Sequence, residues 1–491
     1  MEERIAQLAL ATFNNLPAKC KPRTNPNVHE WVPMSAIILA HTHEPHSNNP
    51  TSNSTATVCN LEGEVVAQVD HEHLHLASLA TGSKCLPATT LSVAGGLILH
   101  DSHSEILALR GLNRFLLEEA RHMLIDPHYR SRYLVRNRNH DYIKENTTGD
   151  GSSCANGGSI DGGISGGSSD NEPPFALHPA TSIHLFSTEP PCGDASMEFI
   201  ISAQQDPTPW SLPPEAPTEN LPGRSYFSAL SIVRRKPSRP DAPPTLSKSC
   251  TDKLTLKQFT SALSSLSSII ICPRNVYIST FTVPFDKYNE EGYTRAFTTS
   301  TITTATTSTT GSATTIATKG RLSALPSSLT CPTLSHNNHC HYSFHPLTPT
   351  PLPSSFPFSH HYKYSKPATT ASNEEPNHPK RKSSNISTIY MNHLHQQPVT
   401  EALISGVKQG NSQLSTSADD RKGSVVCRKK MWLLAREIAG LLRDGEVMKK
   451  LDGAIYADLK RCDPERKQVK ELVTGALMGW EKNRGDDHWG L

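Results

Sequence analysis

Apolar positions recur at helical spacing near the N-terminus, where Ile5, Leu8, Leu10, Phe13 and Leu16 line one stripe of residues 4–16. Two strands are predicted next. Residues 32–40 form a mostly apolar run, and 73–80 alternate through Leu74, Leu76, Ser78 and Ala80, with a polar loop at 44–57 between them. The strongest helical pattern covers 102–121, with Asp101 or Ser102 as cap and Ile106, Leu109, Leu112, Leu116 and Leu117 on one face. Residues 182–187 alternate as a strand and run into Pro190-Pro191-Cys192, after which Met197, Phe199 and Ile200 mark a second helix. The pattern then predicts a helix over 253–267 and strands over 275–283 and 386–390. From Val425 the signal is helical again, through Trp432, Leu433, Ile438, Leu442 and Met448, then Val469, Leu472, Val473, Leu477 and Trp480.

Long stretches between these pieces lack any packing face. The Gly/Ser tract, the Pro-rich loop, the Thr/Ser tract and a His/Pro/Ser tract read as disordered insertions at about 149–172, 206–222, 297–336 and 363–382. Composition agrees: only 36% of the 491 residues are hydrophobic, so the chain reads as one domain, 1–491, swollen by insertions.

Charge changes the picture little in sum and more in distribution. The net formal charge is +2, yet basic residues cluster at 130–138, 234–239, 380–382, 428–430 and 460–470, which gives a face for RNA phosphates if they are not merely solvated surface. Eleven irregularly spaced cysteines form no disulfide framework. No signal-peptide core or membrane-length apolar run is present in the sequence, so an intracellular protein, nuclear or cytoplasmic, with reduced thiols is expected.

The candidate chemistry lies in three separated motifs: His103-Ser104-Glu105, Pro191-Cys192-Gly193-Asp194-Ala195 and Ser249-Cys250-Thr251-Asp252-Lys253. A zinc deaminase needs nitrogen and sulfur ligands with one position open for water, and a carboxylate beside the metal to move protons. A Glu two residues past a His ligand, on the first turn of a helix, meets the second need. Helix N-terminal amides favour a thiolate at Cys192. Each piece alone is weak, since the chain has 24 His and a lone His-x-Glu is often a surface feature. A second cysteine adjacent to Cys192 is missing, because Ala195 holds that position; either the site is incomplete or its third ligand comes from elsewhere. Cys331, His339, Cys340 and His341 crowd a low-complexity tract without paired spacing and read as a decoy.

The three motifs resemble the adenosine-to-inosine editing deaminases, the adenosine deaminases acting on RNA and their tRNA-specific relatives. That family's pattern is His-Ala-Glu, then Pro-Cys-Gly-Asp-Ala, then a distant Ser-Cys-Ser-Asp-Lys. Residues 79–85 (Leu-Ala-Thr-Gly-Ser-Lys-Cys) are similar to the family's strand and turn before the active site. Residues 233–237 with Arg239 and Asp241, together with 406–410 and 427–432, are similar to elements of the tRNA branch. The resemblance implies a cytidine-deaminase-like α/β (α+β) fold, a three-layer core with a central mixed sheet and helices on both faces, plus a helical C-terminal block. It implies zinc held by His103, Cys192 and Cys250, with Glu105 as the catalytic proton carrier; Ala195 is then the family residue. It also implies a buried inositol hexakisphosphate on Arg110, Lys253, Tyr456, Lys460 and Trp480, with Lys236 linking it through Asp101 towards the metal. His100, Leu109 and Leu256 depart from the family pattern at that second site. Ser83, Lys84 and Arg239 are the expected RNA contacts.

The function so implied is hydrolytic deamination of adenosine to inosine in tRNA, at the position 3′ of the anticodon of alanine tRNA. No double-stranded-RNA-binding segment is read ahead of the motifs, which favours tRNA over long duplex RNA; neither DNA nor a membrane is an expected partner. The competing readings are a catalytically silent RNA-binding scaffold, an editing deaminase acting on other RNA, and a free-nucleoside deaminase.

Overall fold

The computed structural model describes residues 1–25, 27–42, 57–59, 65–68, 73–137, 172–203, 221–222, 229–236, 243, 245–307, 313–326, 329, 341–353, 356–359, 380–412, 420–453, 455–483, 486 and 488–490. Its centre is an eight-stranded mixed sheet. The strands are β1 (Met34–His41), β2 (His73–Thr81), β3 (Thr181–Ser187), β4 (Ile278–Pro284), β5 (Pro349–Leu352), β6 (Ser387–Met391), β7 (Val399–Ile404) and β8 (Val407–Lys408), in the order β5-β4-β3-β1-β2-β6-β7-β8. The pairs β5/β4 and β4/β3 are parallel, and the rest are antiparallel.

Strand periodicity explains the layering. In β1 every residue is buried. Successive side chains point to opposite faces, so Ile37 and Leu39 join one core and Met34, Ala36 and Ile38 the other. Helix α1 (Glu2–Asn14) covers the second face with Ile5, Ala9 and Phe13. Helix α2 (Ser104–Ile125) covers the first with Leu107, Leu112, Phe115 and Leu116. The stripe of residues 4–16 and the long helix predicted at 102–121 are both present, the latter starting two residues later and ending four later.

The short α3 (Met197–Ser202) follows the Cys192 loop; α4 (Cys250–Thr260) packs against α5 (Glu290–Phe297) and α8 (Pro464–Ala476), and α2 against α6 (Arg428–Leu442), on which α7 (Gly445–Leu451) rests. The helix expected over 253–267 starts earlier, at Cys250, and stops at Thr260. Ser261, in a left-handed conformation (φ 60°), turns the chain before a short helix at Ser267–Ile270. The reading of 297–336 as disordered does not hold for its described part. Thr301–Thr307 and Ala313–Lys319 form an antiparallel ribbon, which the β-branched threonines favour, and a turn at Arg321–Ala324 returns Arg321 and Leu322 to the interior. Lys380–Ser383, which overlaps the end of the last expected insertion, pairs with Val28–Trp31. Among the described residues no helix is long and apolar enough to cross a membrane.

Candidate active site

A short antiparallel pair, Ser83–Cys85 with Asp101–His103, delivers the first motif to the N-terminus of α2. The two-residue period puts Asp101 and His103 on one side and Ser102 on the other. Gly82 is required before this pair: at φ +147° its Cα lies so near that an added Cβ would fall 2.1 Å from the Ser102 carbonyl oxygen. His103 caps α2, and Glu105 follows in its first turn, buried, with Ser104 Oγ donating to its Oε2 at 3.2 Å.

The second and third motifs dock directly on each other. Thr251 N donates to the Cys192 carbonyl at 3.0 Å and Thr251 Oγ1 to the Pro191 carbonyl at 3.0 Å. Gly193, at φ +111°, permits this approach, since a Cβ there would lie 2.2 Å from Ser249 Oγ. Cys192 thus sits in a loop ahead of a 3-10 turn at Asp194–Ser196 rather than opening a helix, whereas Cys250 is the first residue of α4. Ser249 caps α4, accepting from Asp252 N at 3.1 Å. Asp194 is held by Arg295, whose Nε donates to its Oδ2 at 3.1 Å. Asp252 is held by Arg321 at 2.6 Å. Neither arginine was legible as part of the site; each contacts its carboxylate across many residues of chain.

One ligand atom each from His103, Cys192 and Cys250 lies within 4.8 Å of the others. His103 Nδ1 is 3.7 Å from Cys192 Sγ. Tetrahedral zinc, with bonds of about 2.0 Å to nitrogen and 2.3 Å to sulfur, would set ligand atoms roughly 3.5–3.8 Å apart, so donor set and spacing both fit. Ala195 is buried in the core next to the site, and Cys250 takes the third position.

The electrostatics are those of a tightly linked group. The Cys192 thiol is held well below its ordinary range, first by its hydrogen bond with Cys250 and then, against burial, by Lys236 and His103. Cys250 N–H also donates to Cys192 Sγ at 3.3 Å. Burial, followed by the charge of Cys192, pushes the Glu105 carboxyl up. Asp101, though burial opposes its charge, is driven well down by Lys236 and Lys253. Lys236 Nζ donates to Asp101 Oδ2 at 2.7 Å and to Cys250 Sγ at 3.2 Å, and Lys253 also donates to Asp101. Lys236 thus bridges Asp101 and Cys250 directly.

Some of the side chains expected to hold a polyanion lie near one another. Arg110 and Tyr456 approach each other with Arg428 and Lys460: the two cations sit over the Tyr456 ring at 5.5 Å each. Arg110 Nη1 donates to the Val426 carbonyl at 3.1 Å, and Lys257 and Arg466 likewise donate to backbone carbonyls. Burial and then Arg466, Lys470 and Arg110 push Lys257 well below the usual lysine range, and burial with Arg428 pushes Arg110 down. Trp480 packs with Val233, Phe259 and Val473, under Lys248, while Trp489 stacks on Tyr456 at 5.0 Å and 16°. The departures are accommodated: His100 Nε2 pairs with Asp486 at 2.7 Å, and Leu109 and Leu256 pack in apolar clusters. Ser83 and Lys84 lie together, both on Ser383, and Arg239 lies outside the described residues. Of the tract read as a decoy, only His341 is described.

A mixed sheet carrying a His/Cys/Cys group, with a buried glutamate opening the central helix, defines the deaminase class. The adenosine-deaminase (editase) domain family matches residues 78–146, which include the first motif. Over 487 residues the chain is 28% identical to tRNA-specific adenosine deaminase 1 of Schizosaccharomyces pombe, covering 98% of this chain and 95% of that protein. It is 27% identical over 274 residues to the Saccharomyces cerevisiae protein of the same name, 54% of each chain, and 25% identical over 306 residues to the Drosophila melanogaster one, 60% of this chain and 58% of that. These similarities, with the site they surround, support a hydrolytic adenosine deaminase of the editing type.

Proposed function

We propose that this chain deaminates adenosine to inosine in tRNA, at the position 3′ of the anticodon of alanine tRNA. The observation that carries the reading is the convergence of His103, Cys192 and Cys250 beside the buried Glu105. A relative matching along nearly the whole chain is named for tRNA-specific adenosine deamination, which supports the RNA class.

Zinc suits the three ligands and, when bound, supplies a water of lowered pKa. Glu105 carries the proton work. Its raised proton affinity suits a group that takes a proton from water and gives it to the ring nitrogen, then takes the proton of the added hydroxyl and gives it to the departing ammonia. Lys236 donates to Cys250 and so tempers thiolate charge at the site. The target base must leave its stack to reach this buried carboxylate, and Ser83 and Lys84, on the strand pair leading to His103, are the proposed RNA contacts. The half-buried cations Arg110 and Arg428 beside Tyr456, with Lys257 coupled electrostatically to Arg110, suit a polyanion, and inositol hexakisphosphate is the proposed occupant. Lys236, Lys253 and Lys460 remain its expected partners.

The test is inosine mapping in total tRNA from cells lacking the protein, complemented with the natural chain or Glu105→Gln. Loss of the inosine beside the alanine anticodon, restored only by the natural chain, is expected. Inosine unchanged by the deletion would refute the substrate. Full rescue by Glu105→Gln would refute the chemistry and favour the silent RNA-binding reading.

A further inference from the structure

A second group of metal-ligating side chains lies away from the active site. Glu172, Cys272 and His341 each offer one ligand atom within 4.8 Å of the others. They come from three distant segments. Glu172 leads into the strand Phe175–Leu177. Cys272 ends the strand Ile271–Cys272, which pairs with it in parallel, Ala176 opposite Cys272. His341 opens the stretch whose next residue, Tyr342, packs against Val469 of α8.

The surroundings orient these atoms. His341 Nε2 faces Glu172 Oε1 at 3.0 Å, while Nδ1 faces Glu465 Oε2 at 3.2 Å. The His341 backbone N–H also donates to Glu465 Oε1 at 2.8 Å. A carboxylate on Nδ1 is the usual outer partner of a metal-bound imidazole, and it leaves Nε2 for the metal. Asn137 Nδ2 donates to Glu172 Oε2 at 3.1 Å, and Arg274 Nη2 lies 3.3 Å from Oε1, so the ligand carboxylate is itself held. Cys272 is a free, buried cysteine.

We propose that Glu172, Cys272 and His341 form a second, structural zinc site. One thiolate, one imidazole and one carboxylate suit borderline-soft zinc and do not suit calcium or magnesium, which take oxygen ligands. The ion would tie the small sheet at 172–177 and 271–272 to α8 through Glu465, in the first turn of that helix. The competing arrangement of the same atoms is a protonated His341 bridging two carboxylates, with Cys272 a bystander.

Metal content of the purified full-length protein separates the two. Two zinc equivalents are expected. His341→Gln and Glu172→Gln should each lose one, Cys192→Ser should lose the other, and the first two variants should keep inosine formation on a tRNA transcript. Adding zinc after chelation should raise the melting temperature of Cys192→Ser and leave that of Cys192→Ser/His341→Gln unchanged. A single equivalent that vanishes in Cys192→Ser and persists in His341→Gln overturns the second site. A single equivalent with the opposite pattern upholds it and instead removes the metal from the active-site reading.

Discussion

Replacing Arg321 with Met tests whether the editing motif around Cys250 is held from a distance. Arg321 is 1% exposed at its side chain and its partner Asp252 is 0% exposed. Its Nη1 donates to Asp252 Oδ1 at 2.6 Å, its Nε to the Ala296 carbonyl at 2.8 Å and its Nη2 to Thr255 Oγ1. The other Asp252 oxygen accepts from Ser249 Oγ at 2.6 Å and Arg234 N at 3.0 Å, the contacts that fix the cap on which Cys250 sits. Arg321→Met preserves most of the volume but leaves a buried carboxylate without its cation, which costs about 3–5 kcal/mol. That is a large share of the roughly 5–15 kcal/mol that stabilises a typical domain. Urea unfolding of the natural chain, Arg321→Met, Asp252→Asn and the double variant gives the pair's coupling, expected at about 1.5–3 kcal/mol. Zinc retention should fall in Arg321→Met as the cap loosens. A destabilisation below about 1 kcal/mol, or single effects that simply add, would refute the account of Asp252 as the buried anchor of this motif.

Lys236→Met removes donors to both Asp101 and Cys250; activity and zinc affinity measured on the folded protein should fall about 10–100-fold, as for other outer partners of metal ligands. Gly193→Ala forces a side chain against Ser249 at a positive φ, and should destabilise the protein by about 1–3 kcal/mol in urea and reduce deamination with it. Burial holds His75, His184 and His393 neutral in the native state, each pushed down to about 4. The unfolded chain protonates them near 6.5, so stability should fall as pH drops from 6.5 to 4 and level off below. At most about 3 kcal/mol per histidine is lost, and urea midpoints that stay flat across that window would contradict it. Trp489→Ala should weaken the rise in melting temperature given by added inositol hexakisphosphate far more than Trp480→Ala, because Trp489 is the ring stacked on Tyr456.

Local periodicity made the core strands and α2 legible. The alternation at 73–80 and the stripe at 102–121 are short-range consequences of which residues must face the interior. The three motifs were legible too, because His103 and Glu105 share a helix start and Cys192 and Cys250 each carry distinctive neighbours. The Thr-rich ribbon was not, since a Thr/Ser run with little apolar alternation has the composition of a disordered tract. Arg295 and Arg321 were not, because each meets its carboxylate through tertiary packing alone. The same holds for Trp489 over Trp480: sequence could supply an aromatic residue near the C-terminus but not which one folds back onto Tyr456. By itself the sequence determined the central elements and the ligand types. Only the tertiary structure decided which distant groups share one site, because charge pairing and metal-ligand spacing are set by packing across the chain rather than along it.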